Sequence, residues 1–130
     1  MPKFLFIYRD PIEKTAPELS PDEMQAHMQQ WWDWLGGGKE AGWVAAMGDP
    51  LTPDGRVVQA DKSITDGPYA ESKELVGGYS IIEAASFDEA CQHAMGCPIY
   101  ATGGNVEVRE IAVIENPEDA SATDQSATVG

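Results

Sequence analysis

The sequence predicts an α+β domain in which two strand–helix–strand units share one antiparallel sheet and both helices cover the same face. Two observations carry this. An apolar run at residues 4–8 precedes Ser20-Pro21-Asp22-Glu23, and a second at residues 79–82 precedes Ser86-Phe87-Asp88-Glu89. Each Ser-x-x-Glu is a capping box: the serine oxygen takes an orphan N–H of the first turn while the glutamate reaches back to the cap, so each marks a helix start. A short apolar segment follows each helix, which completes a doubled unit and gives a ferredoxin-like βαββαβ order.

The first strand is expected over residues 3–9, where Phe4, Leu5, Phe6, Ile7 and Tyr8 leave no polar face. Asp10-Pro11 stops it. Pro21 suits the first helical position, and Met24, Met28, Trp31 and Leu35 then recur at helical spacing with His27 and Trp34 on the flank of the stripe. Gly36-Gly37-Gly38 should end or interrupt this helix, with a last turn capped by Gly42 as the alternative. A short strand at 43–47 ends at Gly48-Asp49-Pro50, and Pro53-Asp54-Gly55 is a turn by residue choice. Residues 64–75 mix turn and acidic residues without a period and read as a loop. The next strand spans 76–83, with Gly77-Gly78 allowing a bulge or the close approach of another backbone.

Phe87, Ala90, Cys91, Ala94 and Met95 form the apolar stripe of the second helix, whose small residues permit close approach to the sheet. Val106 and Val108 alternate with Glu107 and Arg109, and Ile111 and Val113 continue on the opposite parity, as after a bulge or under two-sided burial. Residues 116–130 are polar and acidic apart from one valine, and read as a disordered tail after a single domain over 1–115.

Composition narrows the function classes. At 130 residues and 42% hydrophobic the chain supports one core. A formal charge of −14, from 22 Asp/Glu against 8 Lys/Arg, repels nucleic acids and anionic lipid. No apolar run approaches the roughly eighteen residues of a membrane span, and no basic-then-apolar leader precedes the first strand. Cys91 and Cys97 form no CxxC pair and cannot make a structural zinc site unaided, so free thiols in a cytoplasmic protein are expected, with no metal and no cofactor.

Both helices on one face leave the other face uncovered. If Phe4, Phe6, Tyr8 or their neighbours point there, a second copy stacking sheet on sheet would bury them, giving a homodimer with a closed or nearly closed barrel and polar clefts at its ends.

Asp66-Gly67-Pro68-Tyr69-Ala70-Glu71-Ser72-Lys73-Glu74, then Gly77-Gly78-Tyr79 and Ile82-Glu83-Ala84, resemble the DGPF-domain branch of the YCII-related superfamily. Gly96-Cys97-Pro98, Gly103-Gly104 and Val106-Glu107-Val108-Arg109 are similar to its closing segment. Tyr69 replaces the name-giving phenylalanine, which keeps an aromatic ring and adds a hydroxyl. The resemblance covers residues 2–114 and implies a dimeric α/β-barrel protein with a mostly unassigned biochemical role. In the YCII branch a first-helix histidine and an aspartate form a suggested active pair. His27 lies in the first helix here, with a spacing to Gly42 that departs from that branch.

The candidate acid/base residues are Asp66, fixed beside a tight bend by Asp-Gly-Pro, and His27, whose imidazole exchanges protons near neutral pH. Their structural roles would be a loop-holding Asx turn and a packed histidine. Arg9 and Lys73 are candidates to hold negative charge, with Tyr8 and Glu71 as further ligand contacts; ordinary surface pairing explains the same residues. His93 sits on the polar side of its helix and is expected to be exposed. The two functional expectations are an enzyme using general acid/base chemistry on a small polar or aromatic molecule in an end cleft, and a noncatalytic binding or assembly module.

Overall fold

The computed structural model describes residues 1–11, 18–67 and 74–114 of the chain. Strand β1 (Lys3–Pro11) is followed by helix α1 (Pro21–Ala41), β2 (Val44–Ala46), β3 (Gly55–Val58), β4 (Ile64–Gly67), β5 (Glu74–Glu83), α2 (Phe87–Ala94), a 3-10 turn at Pro98–Thr102 and β6 (Asn105–Glu110). Four strands form one antiparallel sheet in the order β2-β5-β1-β6, and β3 pairs with β4 in a separate hairpin.

Both serines cap as their spacing implies, with one difference. Ser20 accepts from the Glu23 N–H at 3.2 Å while Glu23 returns to the Ser20 N–H at 2.9 Å, a complete capping box. Ser86 accepts from the Glu89 N–H at 3.1 Å, but Glu89 reaches one residue further back, to the Ala85 N–H at 2.9 Å. The three glycines do not break α1, which runs to Ala41 and closes on Gly42 at φ 91°. Gly38 is buried because the helix lies directly on the next strand: a Cβ there would stand 2.6 Å from both Trp43 Cζ2 and Val44 Cγ2. Tertiary contact outweighs the weak helix propensity of glycine at this point.

The continuous apolar run of β1 divides strictly by parity. Phe4, Phe6 and Tyr8 are buried under the helices: Phe4 meets Phe87, Phe6 stacks on Trp34, and Tyr8 meets Trp31 edge to face at 4.9 Å. Leu5, Ile7 and Arg9 take the opposite face with Tyr79 and Ile81 of β5 and Glu107 and Arg109 of β6.

This corrects the barrel expectation. The sheet is open, its outermost strands β2 and β6 do not pair with each other, and the aromatic side chains whose burial was to require closure are already covered by the chain's own helices. The fold is α+β with two helices over an open antiparallel sheet, and the dimeric α/β barrel drawn from the resemblance falls with it.

Three local expectations also change. The span read as a loop begins with a strand, since Arg56 to Val58 pair with Ile64 to Asp66 through a turn at Gln59–Ser63. Ile111 and Val113 lie beyond β6, so their changed parity marks the strand's end. His93 is only partly exposed and stacks flat on Trp43, with centroids 4.2 Å apart and planes at 7°. The bulge at Gly77 is present: Tyr8 faces Gly78 and Arg9 faces Val76, and the displaced Gly77 carbonyl accepts from the Leu51 N–H at 2.8 Å. The expected tail at 116–130 lies outside the described residues.

Candidate functional site

The carboxyl end of β1 concentrates polar chemistry beside the aromatic core. Tyr8 is 6% exposed and donates its phenol to Ser80 Oγ at 2.8 Å, and Ser80, fully buried, donates in turn to the Met47 carbonyl at 2.6 Å. Burial pushes the Tyr8 phenol well above its ordinary range, an effect that the bond to Ser80 only partly offsets. Tyr8 therefore stays protonated, and its proton is committed to a chain ending on a carbonyl. This relay fixes the ring.

Asp10 lies two residues on, half-buried between strand ends. Its Oδ1 lies 3.3 Å from Thr102 Oγ1, whose single proton is shared with the Ile99 carbonyl at 3.0 Å, and this is the carboxylate's one hydrogen bond among the described residues. Backbone closes around it. A Cβ on Gly77 would stand 3.6 Å from Asp10 Oδ2, and one on Gly104 would stand 2.8 Å from Oδ1 and 2.6 Å from Ile99 Cγ1 while colliding with the Arg9 carbonyl. Glycine is therefore required at 104 if Asp10 is to keep this position. Cys97, buried nearby, has its thiol pushed up to about 12 by desolvation, which leaves it a poor nucleophile at neutral pH.

Arg9 points to the open face. Its Nε and Nη2 donate to Glu107 Oε1 at 3.0 and 2.7 Å, and Arg109 meets the other oxygen at 3.4 Å. These bonds, Arg9 first, hold the Glu107 carboxyl below its usual range. His27 flanks the aromatic cluster, half-buried, where its Nε2 accepts from Trp31 Nε1 at 3.2 Å.

The sequence-derived candidates thus fall into three places. Tyr8 and His27 join one aromatic cluster through Trp31, and Arg9 lies beside them on the other face. Asp66 is on the separate hairpin, its side chain 87% exposed and 3.3 Å from Arg56. Glu71 and Lys73 lie outside the described residues. Sequence reasoning treated Asp10 as a strand stop and passed over Ser80 and Thr102. A usable signal existed for Asp10: it ends a buried strand, and the glycine pairs 77–78 and 103–104 sit in or beside the two strands that must flank it.

Among the described residues, no three His, Cys, Asp or Glu side chains gather where they could hold a metal ion, and no helix is long and apolar enough to cross a membrane.

The YCII-related domain matches residues 3–115, nearly the whole described chain. The chain belongs to the YCII-related family. No curated protein matches it. Among solved structures, this YCII-related chain is similar to 5-chloro-2-hydroxyhydroquinone dehydrochlorinase (TftG) from Burkholderia phenoliruptrix AC1100, solved in complex with 2,5-dihydroxybenzoquinone. The identity is 17% and the TM-score 0.41, over 89% of this chain and 98% of the other.

Proposed function

We propose that this YCII-related protein binds a small polar or aromatic molecule at the carboxyl end of β1, with Asp10 as the acceptor of a ligand's hydrogen-bonding or transferable proton. One observation carries the reading: a half-buried carboxylate, enclosed by glycine backbone, spends its single bond among the described residues on a long 3.3 Å contact with Thr102. A carboxylate offers about four acceptor positions, so this half-buried one retains capacity for a ligand. If the protein is an enzyme, general acid/base chemistry suits these groups, with His27 on the flank of the aromatic cluster and Arg9 across the sheet, paired with Glu107.

The proton-accepting role goes to Asp10 in preference to Asp66, whose exposed carboxylate lies in water beside Arg56. Free thiols at Cys91 and Cys97 are compatible with a cytoplasmic setting. A second reading, self-association of two copies, is favoured by Leu5, Ile7 and Ile81 on the open face; light scattering across a dilution series tests it, and a monomer at every concentration opposes it.

Thermal-shift screening with small hydroxylated and carbonyl aromatics tests the ligand site. A ligand at about 100 times its Kd stabilises the folded protein by about 2.7 kcal/mol. The expected result is a shift kept in Asp66→Asn and lost in Asp10→Asn. The reverse pattern moves the site to the hairpin.

A further inference from the structure

Resting on that ligand site, we infer that His27 serves it as a hydrogen-bond donor through Nδ1–H, and that the group it receives is a neutral carbonyl oxygen. The argument begins at Trp31. An indole N–H can only donate. Its contact with His27 Nε2 at 3.2 Å therefore makes that nitrogen the acceptor and places the imidazole proton on Nδ1. Trp31 is itself held, meeting Tyr8 edge to face at 4.9 Å and Trp34 at 5.9 Å, and Tyr8 is fixed by its bond to Ser80. The tautomer is thus set by packing that reaches into the sheet.

His27 Nδ1 has no hydrogen-bond partner among the described residues, and the ring is only half-buried, so its N–H is available to a ligand acceptor. Charge decides between acceptors. A chain at −14 disfavours an approaching carboxylate, and the Arg9 guanidinium lies on the opposite face of the sheet, engaged by Glu107. A neutral ketone, aldehyde or amide oxygen accepts the same bond without that repulsion. Trp31 is then a positioning residue: it contributes through the proton's location on His27.

Long-range proton–nitrogen NMR of the imidazole reads the tautomer directly. The expected spectrum shows His27 protonated on Nδ1, and Trp31→Phe, which keeps a ring against Tyr8 but deletes the N–H, redistributes the proton between the two nitrogens. Acetophenone, which offers only an acceptor, is expected to shift the Nδ1–H resonance saturably, while 1-phenylethylammonium, of similar shape without an acceptor, leaves it in place. An Nε2-protonated ring in the free protein overturns the inference, as does a response to the ammonium and none to the ketone. Neither result touches the Asp10 site, whose own failure shows as insensitivity of ligand binding to Asp10→Asn.

Discussion

The Tyr8–Ser80–Met47 relay has unequal members, and a double-mutant cycle exposes the inequality. In Tyr8→Phe, Ser80 keeps its 2.6 Å bond to the Met47 carbonyl and loses only the incoming phenol, so the expected loss is about 1 kcal/mol, one ordinary hydrogen bond. Ser80→Ala strands two groups at once, a phenol on a residue 6% exposed and the Met47 carbonyl. Each unsatisfied group costs about 1–3 kcal/mol, which puts the variant about 2–6 kcal/mol below wild type. In the double variant the stranded phenol is gone, so the combined loss falls short of the sum by about 1 kcal/mol or more. Urea denaturation followed by far-UV circular dichroism at neutral pH measures all four corners. Additivity within about 0.5 kcal/mol would refute the relay as a connected unit.

Two further outcomes follow from the same packing. Gly38→Ala pushes a methyl into Trp43 and Val44 and should cost about 1–3 kcal/mol in denaturation midpoint analysis, whereas Gly37→Ala, with nothing within 4 Å, should stabilise α1 by about 0.4–1 kcal/mol. Stability should also fall in alkali. The Cys97 thiol ordinarily ionises at 9.0 and is raised to about 12 in the fold, so its contribution is complete below pH 9 and is lost progressively as pH climbs toward 12. Tyr8, raised from 10.0, acts with the same sign from pH 10 upward, and Tyr8→Phe should flatten that part of the profile in a pH series of thermal midpoints.

Much of the fold was legible because it depends on local rules. Ser20 and Ser86 located both helix starts, and Gly77-Gly78 located the bulge. What escaped depends on neighbours that a linear reading cannot supply. The run from Phe4 to Tyr8 is apolar at every position, so nothing in it says which parity meets the helices; Trp31, Trp34 and Phe87 decide that from elsewhere. Gly36-Gly37-Gly38 looks like a helix terminator until Trp43 and Val44 are seen to need the missing Cβ at 38. The β3–β4 hairpin is short and mostly exposed, so burial gives it little hydrophobic signature. For the candidate site, Tyr8, Arg9 and His27 were chosen by residue type, but the enclosure of Asp10 arises only when β1 is placed between β5 and β6. Asp66 drew attention through its motif, whereas in the fold it lies in water beside Arg56.

The central claim is where a small molecule binds, and amide chemical-shift mapping of labelled protein against a fragment collection tests it most directly. Perturbations centred on Tyr8 to Asp10, His27, Gly77-Gly78 and Thr102 to Gly104 are the expected result. Perturbations confined to Arg56 and Asp66 on the hairpin, with the end of β1 unmoved, would contradict it.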